Sequence, residues 1–274
     1  MTLTLFAYVV TALTVEIPWS TALLSTLWPK AVINTNYFLM IVAVLGTTIS
    51  PYLFFWQASQ EVEEMNQGKK RRPLRELPHG GVSEIDRIKI DTIVGMIFSN
   101  TIAFFIIVTT AAVLNAHGVT NINSASQAAE ALRPLAGDFT FFLFALGIIG
   151  TGMLAIPVLA GSAAYGVSEA FGWRATLEAK APDAIGFYAI IAAATIIGFG
   201  LGFSGIDAIK MLVWSAAMNG IVAVPIMAMM MVIVANAKLM GRFRAATWLS
   251  VLGWIGTALM ALSVAALGWS FLVS

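Results

Sequence analysis

The side chains best suited to bind a ligand lie together in the segment AVLGTTISPYLFFWQ, residues 43–57. Three hydroxyl side chains and a proline interrupt this otherwise apolar run, namely Thr47, Thr48, Ser50 and Pro51. Pro51 has no N–H to give the carbonyl of Thr47, and its ring clashes with that carbonyl. Hydroxyl and carbonyl oxygens are the ligands that hard cations prefer. The segment is therefore a candidate cation site at a break in a helix.

The same pattern has a purely structural interpretation. Ser50 precedes a proline and is biased away from helical dihedral angles, while Gly46 lowers the steric barrier to unwinding one turn earlier. We therefore expect residues 46–51 to be locally unwound. A proline kink satisfied by neighbouring helices explains this pattern as well as an ion site does. In a bilayer, however, unwound backbone is tolerated only where protein or a watery cavity surrounds it.

Composition indicates that lipid is the solvent of this chain. Of the 274 residues, 59% are hydrophobic and 11% are charged, and the mean hydropathy is +0.88. A soluble core of this length cannot hide so much apolar surface. The chain has no cysteine, so a metal would have to bind through oxygen, nitrogen or thioether. Basic residues occur in short loops, which argues against a nucleic-acid partner.

Apolar runs separated by polar breaks predict an all-α, polytopic membrane protein with about seven transmembrane helices. We expect a single membrane domain over residues 1–274. The predicted spans cover residues 2–16, 36–65, 89–115, 138–170, 186–202, 208–236 and 246–272.

The distribution of positive charge predicts the orientation of these spans. If loops alternate between the two sides, one side receives twelve of the fifteen basic residues. Six of them lie in the loop 66–88, Lys89 directly follows it, two lie in the loop 171–185 and three in the loop 237–245. The positive-inside rule places these loops in the cytoplasm, the N-terminus inside and the C-terminus outside. The expected location is the inner, cytoplasmic membrane.

The run GTTISPYLFFWQASQEVEE, residues 46–64, resembles the sixth helix of the Nramp family of divalent metal-ion transporters. In that family a Gly-Ala-Thr-Val-Met-Pro-His-Asn pattern forms the broken metal-binding helix. Gly46, Thr48 and Pro51 match this pattern. The departures are Thr47, Ser50, Tyr52 and Leu53, which stand where the family has Ala, Met, His and Asn.

The resemblance continues through the rest of the chain. Residues 144–171 resemble the family's eighth helix, and KLMG, residues 238–241, resembles the loop after the tenth helix. The chain is thus similar to helices five to eleven. The resemblance implies part of a LeuT-like inverted-repeat transporter, in which the ion lies between broken first and sixth helices.

Nothing in the chain resembles the family's first helix with its Asp-Pro-Gly-Asn motif, which supplies a carboxylate to the metal. The resemblance therefore implies either a fragment or alternative-start product, or assembly with a separately encoded first half that carries the first broken helix. Of these two alternatives we favour the fragment. Apart from such a half, the expected partners are membrane lipid and the transported cation.

The departures from the family pattern bear on the ion. Ser50 replaces a thioether that favours transition metals, so we expect a preference for harder ions such as Mn²⁺ or Mg²⁺, as in the Nramp-related magnesium transporters. Tyr52 replaces a histidine that titrates near neutral pH, so the family's usual proton route does not carry over. We expect Tyr52 to be a packing or gate residue.

Two further groups of polar residues have open interpretations. Asn219 lies well inside the sixth span, near where the family's tenth helix carries a pathway glutamine, although Ala216 aligns with that position at least as well. Asn219 lines the pathway or hydrogen-bonds a neighbouring helix. The second group consists of Glu61, Glu63 and Glu64, which form either a solvated vestibule or structural ion pairs.

Secondary transport of a divalent cation is the leading functional hypothesis. The candidate metal-site residues are Thr47, Ser50, Thr48, Tyr52 and Asn219. One alternative is a truncated polypeptide or assembly partner without transport of its own, and another is an amino-acid permease of the same architecture. The sequence has no nucleophile elbow, phosphate loop, zinc spacing or paired catalytic carboxylates, so neither an enzyme nor a cofactor other than the transported ion is expected.

Overall fold

The computed structural model describes residues 6–15, 17–27, 34–67, 80–114, 118, 122, 125–133 and 137–273. These residues form helices and loops, and no strand occurs among them. In chain order the α-helices are α1 (Phe6–Thr14), α2 (Trp19–Leu27), α3 (Thr35–Ile49), α4 (Pro51–Gln67), α5 (Gly80–Val113), α6 (Ala125–Ala129), α7 (Thr140–Ala170), α8 (Ile185–Leu201), α9 (Ala208–Ala235), α10 (Ala237–Met240) and α11 (Thr247–Val273).

Within the described residues, five helical segments are long and apolar enough to cross a membrane. They are Thr35–Met65, Ile85–Val113, Gly137–Ala170, Ala208–Ala235 and Thr247–Val273. A sixth apolar helix, α8, has 17 residues. Large apolar side chains point outward along these helices, where lipid rather than water solvates them; Leu212, for example, is 69% exposed. The prediction of an all-α polytopic membrane protein is confirmed.

The first predicted span has the least support in the structure. Helix α1 is nine residues long, a rise of about 14 Å against a hydrocarbon core of roughly 30 Å. Pro18 separates it from α2. Because residues 1–5 and 16 lie outside the described residues, the span at 2–16, and with it the count of seven, stays a prediction.

Part of the predicted basic loop is helical. Helix α5 begins at Gly80, so residues 80–88 of the expected loop 66–88 are helical. Hydropathy marks only the apolar part of a helix, whereas this helix starts with a polar stretch, SEIDRIK, ahead of the apolar residues. Residues 68–79 of the predicted loop lie outside the described part of the chain.

Clustering of backbone positions divides the chain into two compact units. Unit 1 comprises Met1–Ala31, Ile88–Pro157 and Gly202–Met211, and unit 2 comprises Val32–Arg87, Val158–Leu201 and Leu212–Ser274.

Unit 1 has an apolar core around the first helix. Tyr8, Val113, Leu114 and Leu132 form a buried cluster there. The buried hydroxyl of Thr109 donates a hydrogen bond to the backbone carbonyl of Tyr8 at 3.1 Å, which satisfies both groups in an apolar surrounding.

In unit 2, α3 and α9 approach each other to backbone contact. A Cβ atom on Gly46 would overlap the carbonyl oxygen of Ala216 and would lie 2.8 Å from the Cα of Gly220. A Cβ on Gly220 would in turn lie 2.6 Å from the carbonyl oxygen of Val42. Small residues allow such close crossings of membrane helices. Helix α11 packs along α3 as well, and the hydroxyl of Thr35 donates to the Ser270 carbonyl at 3.3 Å.

A second cluster in unit 2 joins α4, α7 and α8. Tyr165 and Phe187 are fully buried at its centre, with ring centroids 4.9 Å apart in an edge-to-face arrangement. The ring of Trp56 on α4 lies against Gly161 on α7, where any Cβ would overlap it. These contacts hold the first half of α4 against the C-terminal half of α7.

Candidate functional site

The helix break predicted from Pro51 is present but is confined to one residue. Helix α3 continues to Ile49, Ser50 adopts left-handed dihedral angles (φ 44°, ψ 75°), and α4 starts at Pro51. The Ser50 N–H donates to the Gly46 carbonyl at 3.0 Å and so completes the last turn of α3. Pro51 stands at the first position of α4, where a proline is favourable because that N–H has no helical partner.

The expectation that residues 46–51 are unwound is therefore wrong. Gly46 is helical, and its missing side chain serves the close approach of α9 rather than a loss of helix. One left-handed residue is enough to redirect the chain, because the proline after it has no N–H that would need an acceptor. Glycine's two uses, conformational freedom and close packing, cannot be told apart from the sequence alone.

The three hydroxyl groups at the break face different surroundings. Ser50 is buried, and its hydroxyl donates to the carbonyl of Thr47, the group that Pro51 deprives of its helical donor. The exposed hydroxyls of Thr47 and Thr48 both donate to the Val44 carbonyl, at 2.8 and 2.9 Å. The Thr47 carbonyl is thus not left without a donor. Each hydroxyl oxygen retains lone pairs with which it can accept or coordinate.

A cavity of about 360 Å³ opens beside the break, within unit 2. Helices α4, α7 and α9 supply its lining, which consists of Pro51, Tyr52, Phe55, Leu159, Ser162, Ala163, Gly166, Val167, Met218, Asn219, Val222 and Ile226. The cavity brings together two of the predicted site residues, Tyr52 and Asn219. Ser50 is the neighbour of two lining residues but does not itself line the cavity, and neither do Thr47 and Thr48.

Polar groups in this largely apolar cavity are few. The hydroxyl of Ser162 donates to the Val158 carbonyl at 2.7 Å. Within the part of the chain that the structure describes, neither the Tyr52 hydroxyl nor the Asn219 amide has a hydrogen-bond partner. An unpartnered amide or hydroxyl in an apolar surrounding is costly unless water or a ligand satisfies it.

A comparison with family models decides the class of this protein. The model for natural resistance-associated macrophage protein-like (Nramp) sequences matches residues 1–270. The chain belongs to the Nramp family. A search of curated proteins returned no match. Membership implies transport of divalent metal cations and a multi-pass membrane protein, and it places the chain among transporters rather than enzymes.

The sequence did not single out two features of this Nramp-family cavity. Ser162 lies in a run of small residues on α7, and such a run indicates only helix packing. Its hydroxyl was the sign in the sequence that this run contributes a polar group to the cavity. Pro225 lies inside α9 between the lining residues Val222 and Ile226, and it deprives the Ile221 carbonyl of its helical donor. A proline less than two turns after Asn219 was the visible signal of this carbonyl.

Two of the three acidic side chains at the C-terminal end of α4 form ion pairs. Arg87 on α5 donates to Glu61 at 2.9 Å and to Glu64 at 3.5 Å. Of the two interpretations of this cluster, the structure therefore favours ion pairs for Glu61 and Glu64. Glu63 instead accepts hydrogen bonds from Tyr165 and from the backbone of Leu177.

The donor set near the break consists of neutral oxygen and amide groups. Among the described residues, no group of three or more histidine and acidic side chains that could hold a metal ion is present. Any cation in this region would therefore interact with hydroxyl, carbonyl and amide oxygens of this chain.

Proposed function

We propose that this Nramp-family chain carries the broken-helix side of a route for hard divalent cations, and that the ion crosses the cytoplasmic membrane by secondary transport. The observation that supports this proposal is the cavity beside the left-handed Ser50, which is lined by Tyr52 and Asn219, two polar residues without a side-chain hydrogen bond among the described residues. Ser50 through its hydroxyl, Thr47 through its carbonyl and Thr48 through its hydroxyl complete the proposed set of ligands.

The proposed ion preference rests on the chemistry of these ligands. Ser50 supplies a hydroxyl where the family pattern has a thioether, and oxygen ligands favour Mg²⁺ and Mn²⁺ over softer metals. Mg²⁺ gives up its waters reluctantly. Six waters at about 30 Å³ each occupy roughly 180 Å³, and the cavity of about 360 Å³ has room for them. We infer a preference for Mg²⁺ or Mn²⁺, carried with part of its water shell.

A divalent cation also needs negative charge, which the cavity lining does not supply. We propose that a second polypeptide segment, the first broken helix of the inverted repeat, contributes a carboxylate. The exposed hydroxyls of Thr47 and Thr48 support this arrangement, since polar groups on a membrane helix are stabilised by facing protein or water rather than lipid. A carboxylate facing them would complete a site for Mg²⁺.

We propose the orientation that the charge distribution predicts, with the N-terminus in the cytoplasm and the C-terminus outside the inner membrane. The C-terminal end of α4, with its ion pairs to Arg87, then faces the cytoplasm. Tyr52 stands in place of a histidine, so the coupling of protons through that position is not part of this proposal.

Ion uptake by the full-length protein in proteoliposomes tests the proposed function. We expect saturable Mg²⁺ and Mn²⁺ uptake that Ser50→Ala abolishes and Asn219→Ala weakens. Gly95→Ala is the control, because a methyl group there has no neighbour within 4 Å. Absence of uptake, alone and with any first-half partner, would mean that the chain is a transport-incompetent polypeptide. Uptake of a zwitterionic amino acid without competition by metals would indicate a permease instead.

A further inference from the structure

One face of α4 packs against α7 along most of the length of α4. Tyr52, Trp56, Gln60 and Glu63 follow one another at intervals of four, four and three residues, which places them on the same side of a helix. Tyr52 lines the cavity together with residues of α7, and the Trp56 ring lies against Gly161. The two polar residues follow at the end of the same face.

Gln60 and Glu63 both contact a single buried hydroxyl. The amide of Gln60 donates to the Tyr165 hydroxyl at 3.1 Å, and that hydroxyl donates to Oε1 of Glu63 at 2.7 Å. The backbone N–H of Leu177, in the loop after α7, donates to the same carboxylate oxygen at 3.1 Å. Because the phenolic hydroxyl both accepts and donates, the Gln60, Tyr165 and Glu63 groups form one continuous chain of hydrogen bonds.

Glu63 differs from its acidic neighbours in what satisfies it. Glu61 and Glu64 lie on another side of α4 and pair with Arg87. In the described residues no cation lies within ion-pair distance of Glu63, and its carboxylate depends on the Tyr165 and Leu177 donors. Hydrogen bonds to an ionised carboxylate are shorter and stronger than those between neutral groups.

We propose that Glu63 is a positioning residue that sets the opening of the cavity by fixing α4 against α7 through Tyr165. Tyr165 lies one turn beyond Ser162 and next to Gly166, both of which line the cavity from α7. On the α4 side, Tyr52 and Phe55 belong to the same stiff helix as Glu63. With the Trp56 contact alone, α4 could still tilt about Trp56. The hydrogen bonds of Glu63 to Tyr165 and Leu177, here called the Glu63 anchor, prevent this tilt.

The consequence for ion binding rests on the function proposed above, whereas the effect on the cavity does not. Losing the anchor lets α4 tilt away from α7, which opens the cavity to water and reagents. If the cavity is part of the ion route, the same tilt weakens the apparent affinity for the ion while leaving the maximal rate largely intact.

The absence of cysteine from the chain permits a direct test of the cavity. Ser162→Cys in the full-length protein introduces one thiol into the lining, and its labelling rate with N-ethylmaleimide in membranes reports access. We expect Tyr165→Phe and Glu63→Ala each to accelerate labelling at least about fivefold, which is what loss of the shared Tyr165–Glu63 hydrogen bond alone predicts. The acceleration in the double variant should be smaller than the product of the two single effects, because both substitutions remove the Tyr165–Glu63 hydrogen bond.

Glu64→Ala is the matched control, since it removes the same charge from the neighbouring position without touching α7. It should leave the labelling rate unchanged. Glu63→Gln keeps an oxygen that can accept a hydrogen bond from Tyr165. Its labelling rate should therefore lie between those of the original protein and Glu63→Ala. Tyr165→Phe retains the ring contacts with Trp56 and Phe187, so the test does not depend on a disruptive substitution.

Two readouts separate this inference from the proposed function. Equal labelling rates in Tyr165→Phe, Glu63→Ala and Glu64→Ala would overturn the inference, even if Mg²⁺ uptake is intact. Faster labelling in the first two variants, with no uptake by the original protein, would support the inference and contradict the proposed function. If the inference and the proposed function are both correct, the first two variants should show faster labelling, a raised KM for Mg²⁺ uptake and a preserved maximal rate of uptake.

Discussion

The two halves of the interrupted helix are held in place by different kinds of contact. Helix α3 meets α9 backbone to backbone, with Gly46 against Ala216 and Gly220. Helix α4 is held near its C-terminal end by side-chain hydrogen bonds and ion pairs that start from Gln60, Glu61 and Glu63. The α3 half is thus fixed by backbone packing, whereas the α4 half combines the Trp56 contact with polar groups that have partners on α5, α7 and the loop after α7.

This difference determines how each half responds to change. A close-packed interface has no low-energy alternative arrangement, because any added atom must displace backbone. A hydrogen bond or an exposed ion pair can be exchanged for water at small net cost. We therefore expect α3 to behave as the fixed part of the site and α4 as its adjustable part, with Ser50 between them.

The largest effect should come from a methyl group at the α3–α9 contact. Gly46→Ala places a Cβ onto the Ala216 carbonyl, and we expect it to lower the free energy of unfolding by about 2 kcal/mol. The midpoint of thermal unfolding in mixed micelles measures this loss. Gly95→Ala is the control, since its Cβ meets nothing within 4 Å and alanine favours the helix by about 1 kcal/mol. Equal midpoints for the two variants would contradict the account of α3.

A smaller effect should come from the residue at the break itself. Ser50→Val forces a β-branched side chain into left-handed dihedral angles, and we expect it to be less stable than Ser50→Gly by about 1–2 kcal/mol. Ser50→Gly adopts those angles freely, so it should retain most of the stability while it removes the hydroxyl. If both variants unfold at the same midpoint, then the hydroxyl bond to the Thr47 carbonyl, rather than the backbone, stabilises the break.

The smallest effect should come from the ion pairs of α4. The Arg87 side chain is 47% exposed, and pairs of this kind contribute about 0.2–1 kcal/mol. Arg87→Gln should therefore lower stability only slightly, and the difference should shrink further in 1 M salt because the charges are screened. Unfolding midpoints at low and high salt measure both quantities. A large loss that persists at high salt would mean that α4 is held as rigidly as α3.

The sequence predicted the long apolar spans and the place of the break, because hydropathy and proline chemistry are local properties. Helix α5 starts earlier than predicted, since its first turns are polar and carry no hydropathy signal. The predicted width of the break, residues 46–51, was wrong for another reason. The role of Gly46 depends on α9, about 170 residues away along the chain, and no local rule reveals that contact.

The candidate site was predictable only in part. Polar residues inside apolar runs pointed to Tyr52 and Asn219, and both line the cavity. Thr47 and Thr48 do not line the cavity. The sequence could not predict this, because it depends on the direction in which the left-handed Ser50 turns the chain. Tyr165 gave no signal, because a tyrosine in a membrane helix most often packs or anchors.

The ion preference of Ser50→Met tests the central claim most directly. Uptake of Mg²⁺ and of the softer Cd²⁺ should be compared in proteoliposomes that contain the original full-length protein or this variant. If Ser50 lies on the ion route, the thioether should raise the ratio of Cd²⁺ to Mg²⁺ uptake, chiefly through loss of Mg²⁺ uptake. An unchanged ratio, with both rates preserved, would contradict the claim that the break at Ser50 contacts the transported ion.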